Sequence, residues 1–116
     1  TYGGADLGCV AAAEVCDIIG EPGFAERVQA VGAHLEASFA DLPFGVRRRG
    51  MLLGLEFEEE HGAMTAMKQL FDAGLYAFFA SFDPRVLQFK PPLTATDDDV
   101  EAIVAIVRGT FGTEAS

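Results

Sequence analysis

The stretch VRRRGMLLGLEF, residues 46–57, predicts the kind of fold that the 116-residue chain adopts. Apolar side chains occupy every second position of its latter half, which is the period of a strand with one buried face. They are Met51, Leu53, Leu55 and Phe57. Gly50 interrupts the pattern, as expected for a bulge or for a break between two short strands. Residues 46–58 are therefore predicted to be strand, apolar on one face.

Helical periodicity surrounds this stretch. Apolar residues at spacings of three and four predict an amphipathic helix over residues 24–39, and a helix rich in small residues precedes it at about Asp6–Ile19. Another helix is predicted around residues 64–71. The last helix is expected to begin at Thr96, with Asp99 at the capping-box position.

Two further strands complete the predicted sheet. Residues 75–82 are rich in aromatic side chains, and residues 86–89 form a short apolar run after a turn at residues 83–85. Tight turns join some of the strands, so most pairing is expected to be antiparallel. The predicted fold class is α/β, in the sense of a small α+β domain: a small, mainly antiparallel sheet covered on one side by helices.

The charge and apolar composition of the chain exclude some kinds of binding partner. A net charge of -10 and one short basic cluster, residues 47–49, argue against binding to nucleic acid or to an anionic membrane surface. Successive strand residues point to opposite faces, so this cluster is expected to be split. No apolar run approaches the roughly 20 residues of a membrane span. Cys9 and Cys16 are predicted to be buried free thiols, too far apart to bridge, which favours a cytoplasmic location.

No pattern in the sequence identifies a catalytic group or a metal site. His34 and His61 are expected to have surface roles. The acidic runs at residues 58–60 and 97–99 suit a solvated turn and a helix N-terminus. The opening residues 1–4, TYGG, precede a helix, and they could hold a phosphate because Thr1 offers a hydroxyl while Gly3 and Gly4 let the backbone approach closely.

Three segments, in this order, resemble the C-terminal part of class III aminotransferases, which are pyridoxal-5'-phosphate enzymes of fold type I. They are residues 1–19 (TYGGADLGCVAAAEVCDII), 46–57 (VRRRGMLLGLEF) and 86–100 (VLQFKPPLTATDDDV). The resemblance implies that residues 1–116 are the C-terminal small domain, with residues 1–20 as the motif and helix leading from the large domain. It also implies amino-group transfer between an amine or amino acid and a carbonyl acceptor, with the cofactor as electron sink.

The same resemblance implies the cofactor contacts. Thr1 would hydrogen-bond the phosphate of pyridoxal 5'-phosphate across a homodimer interface, flanked by Tyr2 and Gly3. The family's Schiff-base lysine lies before this threonine, and Lys68 and Lys90 match nothing catalytic. The resemblance therefore implies that no catalytic residue lies in this chain. The chain alone would be inactive. It would be the tail of a longer polypeptide or part of a complex.

Gln88 stands where many family members have an arginine that grips the α-carboxylate of the substrate. An amide cannot match that charge, so we expect a substrate that lacks an α-carboxylate at this position. Primary amines, polyamines, aldehydes and carrier-tethered carbonyls meet that condition, and Arg85 or Lys90 could compensate from nearby. Asp6, which replaces a proline of the family motif, is expected to cap the first helix.

Two alternatives stay open at this point. One is another pyridoxal-phosphate reaction on the same fold, such as that of an aminomutase. The other is a non-enzymatic interaction module.

Overall fold

The computed structural model describes residues 3–112. Four helices and four strands follow one another along the chain in the order α-α-β-β-α-β-β-α. The helices are α1 (Asp6–Ile19), α2 (Phe24–Ser38), α3 (Gly62–Asp72) and α4 (Asp97–Phe111). The strands are β1 (Gly45–Arg49), β2 (Leu52–Glu56), β3 (Phe78–Ala80) and β4 (Asp83–Phe89). They form one sheet in the order β1-β2-β4-β3.

All neighbouring strands of this sheet pair antiparallel, which confirms the predicted pairing. The predicted break within residues 46–58 is also confirmed. Gly50 lies in the turn between β1 and β2 with a φ of 58°, a left-handed conformation that glycine adopts without steric cost.

The two faces of the sheet differ in character. One face carries the fully or almost fully buried side chains that pack under α2, α3 and α4. These are Leu53, Leu55, Leu87 and Phe89. The residues that alternate with them on the opposite face are exposed or half-buried. Helices therefore cover one side of the sheet, as predicted, and leave the other side bare.

The core between helices and sheet depends on a few large side chains. Each of three helices contributes one large, fully buried side chain: Leu35 from α2, Leu70 from α3 and Val107 from α4. Phe39, just after α2, meets Phe89 of β4 edge to face, with ring centroids 5.9 Å apart. This packing joins α2 to the middle of the sheet.

The strand predicted at residues 75–82 is wrong in length, because β3 spans only Phe78–Ala80. The preceding residues instead close the end of α3. Gly74 has a φ of 98°, and its N–H donates to the carbonyl of Phe71 at 3.0 Å. The N–H of Leu75 donates to the carbonyl of Leu70 at 2.8 Å, which completes a Schellman cap.

The turn predicted at residues 83–85 is also wrong. Those residues begin β4, and the turn lies at Ser81 and Phe82. Pro84 is tolerated because it lies near the start of the strand, before the residues that pair with β2.

The two predicted helix caps have different outcomes. Thr96 caps α4 as predicted: its hydroxyl accepts from the Asp99 N–H at 3.1 Å, and the Asp99 carboxylate accepts from the Thr96 N–H at 3.0 Å. Asp6 does not cap α1, because it is already the first helical residue. Ala5 occupies the cap position and has no side chain that could accept a hydrogen bond.

Helix α1 buries none of its residues within this chain. Cys9 and Cys16 are therefore exposed, and the prediction that they are buried is wrong. Leu7 and Val10 are 83% and 69% exposed. The radius of gyration, 16.2 Å, exceeds the roughly 13 Å of a compact chain of this length, since α1 packs on α2 and extends away from the sheet.

Among residues 3–112, no helix is both long enough and apolar enough to cross a membrane.

Candidate functional site

The glycine turn before α1 is the described part of the predicted cofactor contact. Thr1 and Tyr2 lie outside the described residues. Gly3 and Gly4 form a turn, and Gly4 has a φ of 80°. Apart from the chain neighbours, no atom of the described residues lies within 4 Å of where a side chain would stand at either glycine. This backbone is thus open to a ligand on the side of the helix N-terminus.

The start of α1 offers donors beside that turn. The first bond within the helix runs from the Cys9 N–H to the Ala5 carbonyl at 2.9 Å, so the preceding amides have no partner inside the helix. Such amides suit a phosphate. The carboxylate of Asp6 lies at the same helix end and opposes an anion. The described residues therefore fit the phosphate end of a cofactor and offer nothing for its ring.

Gln88 lies on the bare face of the sheet. It pairs with Gly54 of β2 and with Phe78 of β3, while Gly54 pairs with Arg47 of β1. These four residues form one row across all four strands. Gly54 carries no side chain, and the Cγ1 of Val86 lies 3.3 Å from where its Cβ would stand, so Val86 borders the gap between Gln88 and Arg47 in that row.

A cleft of about 650 Å³ lies over this face. Its floor is apolar at Leu52, Gly54 and Val86, the amide of Gln88 lines it, and the fully exposed ring of Phe82 stands at one end. None of its lining residues comes from α1. Among the described residues, Gly3 and Gln88, two of the four predicted contacts, are therefore not brought into one cleft.

The basic cluster at residues 47–49 is split, as predicted. Arg48 points to the helix side, where its Nε donates to Glu36 at 2.9 Å and its Nη1 to the carbonyl of Gly50 at 3.1 Å. Arg47 and Arg49 point to the bare face and line the cleft. Arg47 pairs with Glu56 at 3.2 Å.

The cations predicted to compensate for Gln88 lie elsewhere. The Nε of Arg85 donates to the carbonyl of Glu58 at 3.2 Å, and neither Arg85 nor Lys90 lines the cleft. The cations that share the face of Gln88 are Arg47 and Arg49, and the alternation along β1 was the signal for their position. The sequence alone did not reveal which strand pairs beside β4.

The carboxyl groups whose pKa values are shifted take part in structural contacts. Arg108 donates to both carboxylate oxygens of Asp41, at 2.7 and 3.0 Å, and holds the pKa of Asp41 below its usual value. The backbone N–H of Thr96, and then its side chain, lower the pKa of Asp99. Both groups are exposed and lie at helix ends.

The histidines have the surface positions that were expected. The Nε2 of His34 lies 3.2 Å from Glu101, and His61 precedes the first residue of α3. Within residues 3–112, no three His, Cys, Asp or Glu side chains are grouped as ligands of a metal ion would be.

Comparison with known proteins identifies the family. The model of class-III aminotransferases matches residues 1–111. An uncharacterized aminotransferase of Archaeoglobus fulgidus is 32% identical over 112 residues, 89% of this chain and 26% of that protein. Acetylornithine aminotransferase 1 of Bordetella bronchiseptica is 33% identical over 113 residues, 92% of this chain and 28% of that protein. The chain thus spans about a quarter of the length of these relatives.

A solved structure shows the same fold. The ornithine aminotransferase of Toxoplasma gondii superposes with a TM-score of 0.81 at 24% identity, over 96% of this chain and 28% of that chain. The match of the family model over residues 1–111 makes the assignment: the chain belongs to the class-III aminotransferase family.

Proposed function

We propose that this chain is the C-terminal small domain of a pyridoxal-phosphate-dependent aminotransferase. The observation that carries the proposal is the family match over residues 1–111, together with a sheet that is bare on the face where Gln88 lies. The activity is amino-group transfer between an amine or amino acid and a carbonyl acceptor. We place it in the cytoplasm, because Cys9 and Cys16 are free thiols, although they are exposed and not buried as the sequence led us to expect.

The cofactor contacts proposed for this chain are Thr1, Tyr2 and Gly3. The open turn at Gly3 and Gly4 and the free amides of α1 support a contact with the phosphate. When bound, the cofactor supplies the electron sink for the reaction. This chain's own residues would hold and orient its phosphate, with the exposed carboxylate of Asp6 as the unfavourable neighbour.

The lysine that holds the cofactor is proposed to lie outside these 116 residues. Lys68 is on the exposed side of α3, where its Nζ lies 3.1 Å from Asp72. Lys90 is exposed and does not line the cleft. Neither has a position beside the glycine turn, so we propose that the chain by itself is inactive.

Gln88 is proposed to contact the substrate. It is half-buried on the floor of the cleft and carries an amide, which hydrogen-bonds neutral polar groups but cannot neutralise a carboxylate. We therefore propose an amine or carbonyl substrate, free or carrier-tethered, that places no α-carboxylate at Gln88.

A homodimer with a shared cofactor site is proposed from the surface of α1. This helix carries exposed apolar residues along its length and buries none of them within the chain. The largest are Leu7, Val10, Val15 and Ile19. A second subunit would cover such a surface and bring the glycine turn to the site across the interface.

The proposal is tested in the complete protein that carries these residues. We expect bound pyridoxal phosphate, seen by its visible absorbance, and transfer of an amino group to simple aldehydes. An interaction module would show neither property. An aminomutase would isomerise its substrate and leave an added carbonyl acceptor without an amino group.

The role of Gln88 has a separate test. Half-reactions with 2-oxoglutarate are expected to be slow in the natural protein and to accelerate in Gln88→Arg, which supplies the missing charge. Arg85→Gln, outside the cleft, is the matched control. It should change neither the rate with 2-oxoglutarate nor the rate with simple aldehydes. Efficient use of 2-oxoglutarate that survives Gln88→Ala would contradict the proposed substrate class.

A further inference from the structure

We propose that the cleft binds a carboxylate on its β1 side, with Arg49 as the main partner and Arg47 beside it. The ligand is a carboxylic acid with an apolar chain several carbons long. That this ligand is the substrate rests on the proposed function. The binding site itself rests on the geometry of the sheet.

The two arginines point to the same side of the sheet. They are two residues apart in β1, so both side chains leave the strand on the bare face, and both line the cleft. Among the described residues, no carboxylate lies within 4.0 Å of Arg49. Its guanidinium is therefore available to an incoming anion.

Arg47 can exchange its present partner. Its pair with Glu56, at 3.2 Å, joins side chains that are 65% and 48% exposed. Exposed pairs of this kind contribute little to stability, so a ligand carboxylate competes with Glu56 at small cost. With Glu56 counted, the arginine side of the cleft still has an excess of positive charge.

That local charge is opposite to the charge of the whole chain. The net charge of -10 repels anions from most of the surface, whereas Arg47 and Arg49 attract them to the β1 side. Asp83 lines the other end of the cleft, and its Oδ1 accepts from the Arg85 N–H at 3.0 Å. A carboxylate is thereby directed to the end with the arginines.

The floor of the cleft defines the rest of the ligand. Leu52, Gly54 and Val86 form an apolar surface between Arg47 and Gln88. These last two lie two strands apart, so their Cα atoms are separated by about 10 Å. A chain of several carbons spans that gap and reaches the amide of Gln88. The substrate would be an acid whose carboxylate is remote from the group that Gln88 contacts.

The experiment compares two probes of the same shape and different charge. The complete protein that carries these residues is isotopically labelled, titrated with hexanoate and with hexanamide, and followed by NMR. Inorganic phosphate serves as a third probe. We expect hexanoate to bind about tenfold more tightly than hexanamide, the effect of one charge-assisted hydrogen-bonded contact. The shifted resonances should be those of Arg49, Leu52 and Gly54.

The variants assign the effect to Arg49. Arg49→Gln should reduce the affinity for hexanoate to that for hexanamide, while Arg85→Gln, the same charge change outside the cleft, should leave it unchanged. Equal affinities for the two probes, or equal losses in both variants, would overturn the proposal. So would phosphate binding as tightly as hexanoate at the same residues. None of these results depends on bound pyridoxal phosphate or on amino transfer, so failure here leaves the proposed function to its own test.

Discussion

A side chain on Gly32 of α2 would overlap the carbonyl oxygen of Gly50, in the turn between β1 and β2. The helix and the hairpin thus touch backbone to backbone at this point. Arg48 strengthens the contact by donating to the same carbonyl and to Glu36 of α2. This close approach fixes the hairpin that carries Arg47 and Arg49 against the helical layer.

Gly32→Ala is predicted to destabilise the fold. The added methyl group cannot be accommodated without moving the hairpin away from α2, and overpacking of this kind costs about 1–3 kcal/mol. Gly109→Ala is the matched control, because outside the backbone of α4 itself no atom of the described residues lies within 4 Å of a side chain at Gly109. That change should stabilise α4 by up to about 1 kcal/mol. Urea unfolding of both variants measures the two effects, and a loss of the same size in both would contradict the contact.

Arg108→Gln is predicted to raise the pKa of Asp41 towards its ordinary value of 3.8. In the native protein the hydrogen bonds from Arg108 favour the ionised carboxyl of the folded state, which lowers its pKa. The resulting stabilisation is fully present above pH 3.8 and is lost as the pH falls below that value. The stability difference between native and variant proteins should therefore be larger at neutral pH than in strong acid, where, among the described contacts of Arg108, only the one with the Ser38 carbonyl still distinguishes them.

Carboxyl NMR titration measures this change residue by residue. Asp99 is the internal control, because Thr96 and not Arg108 lowers its pKa. A variant in which the two aspartates shift together would show that the effect is not the loss of one ion pair.

Thr96→Ala is predicted to weaken α4 at its N-terminus. It removes the hydroxyl that accepts from the Asp99 N–H, and the loss of such a cap costs about 1 kcal/mol. Thr96→Ser keeps the hydroxyl and should retain most of the stability. Thermal unfolding monitored by circular dichroism distinguishes the two variants, and equal midpoints would exclude the cap as a stabilising contact.

Leu7→Glu is predicted to separate folding from assembly. Leu7 is 83% exposed, so the free energy of unfolding of the chain should change by less than about 0.5 kcal/mol. On the proposed function, the same change places a charge in the subunit interface and should weaken dimerisation of the complete enzyme, as measured by sedimentation. Leu70→Ala, at a fully buried position, should instead cost about 2–5 kcal/mol.

The sequence was informative wherever one local rule decided the structure. Alternation in residues 46–57 predicted the buried face of β2, and the spacing from Thr96 to Asp99 predicted the capping box. Predictions failed where two rules competed. Residues 75–77 have strand-like composition, but capping α3 takes precedence through Gly74.

The candidate site was less accessible to sequence reasoning. The family resemblance indicated Gln88. That Arg47 and Arg49 share its face of the sheet depends on the order of the strands, which the sequence did not reveal. Cys9 and Cys16 were predicted to be buried free thiols, yet burial requires a second surface. Among residues 3–112, nothing covers that side of α1.

The isolation of α1 also affects the order in which the protein becomes rigid. A helix of 14 residues without a buried side chain is marginally stable in water, so its amides should exchange with solvent faster than those of α2 or α4. The glycine turn at its N-terminus is positioned only as well as the helix behind it. On the proposed function, whatever covers α1 would therefore also prepare the phosphate contact, and assembly and cofactor affinity would be thermodynamically linked.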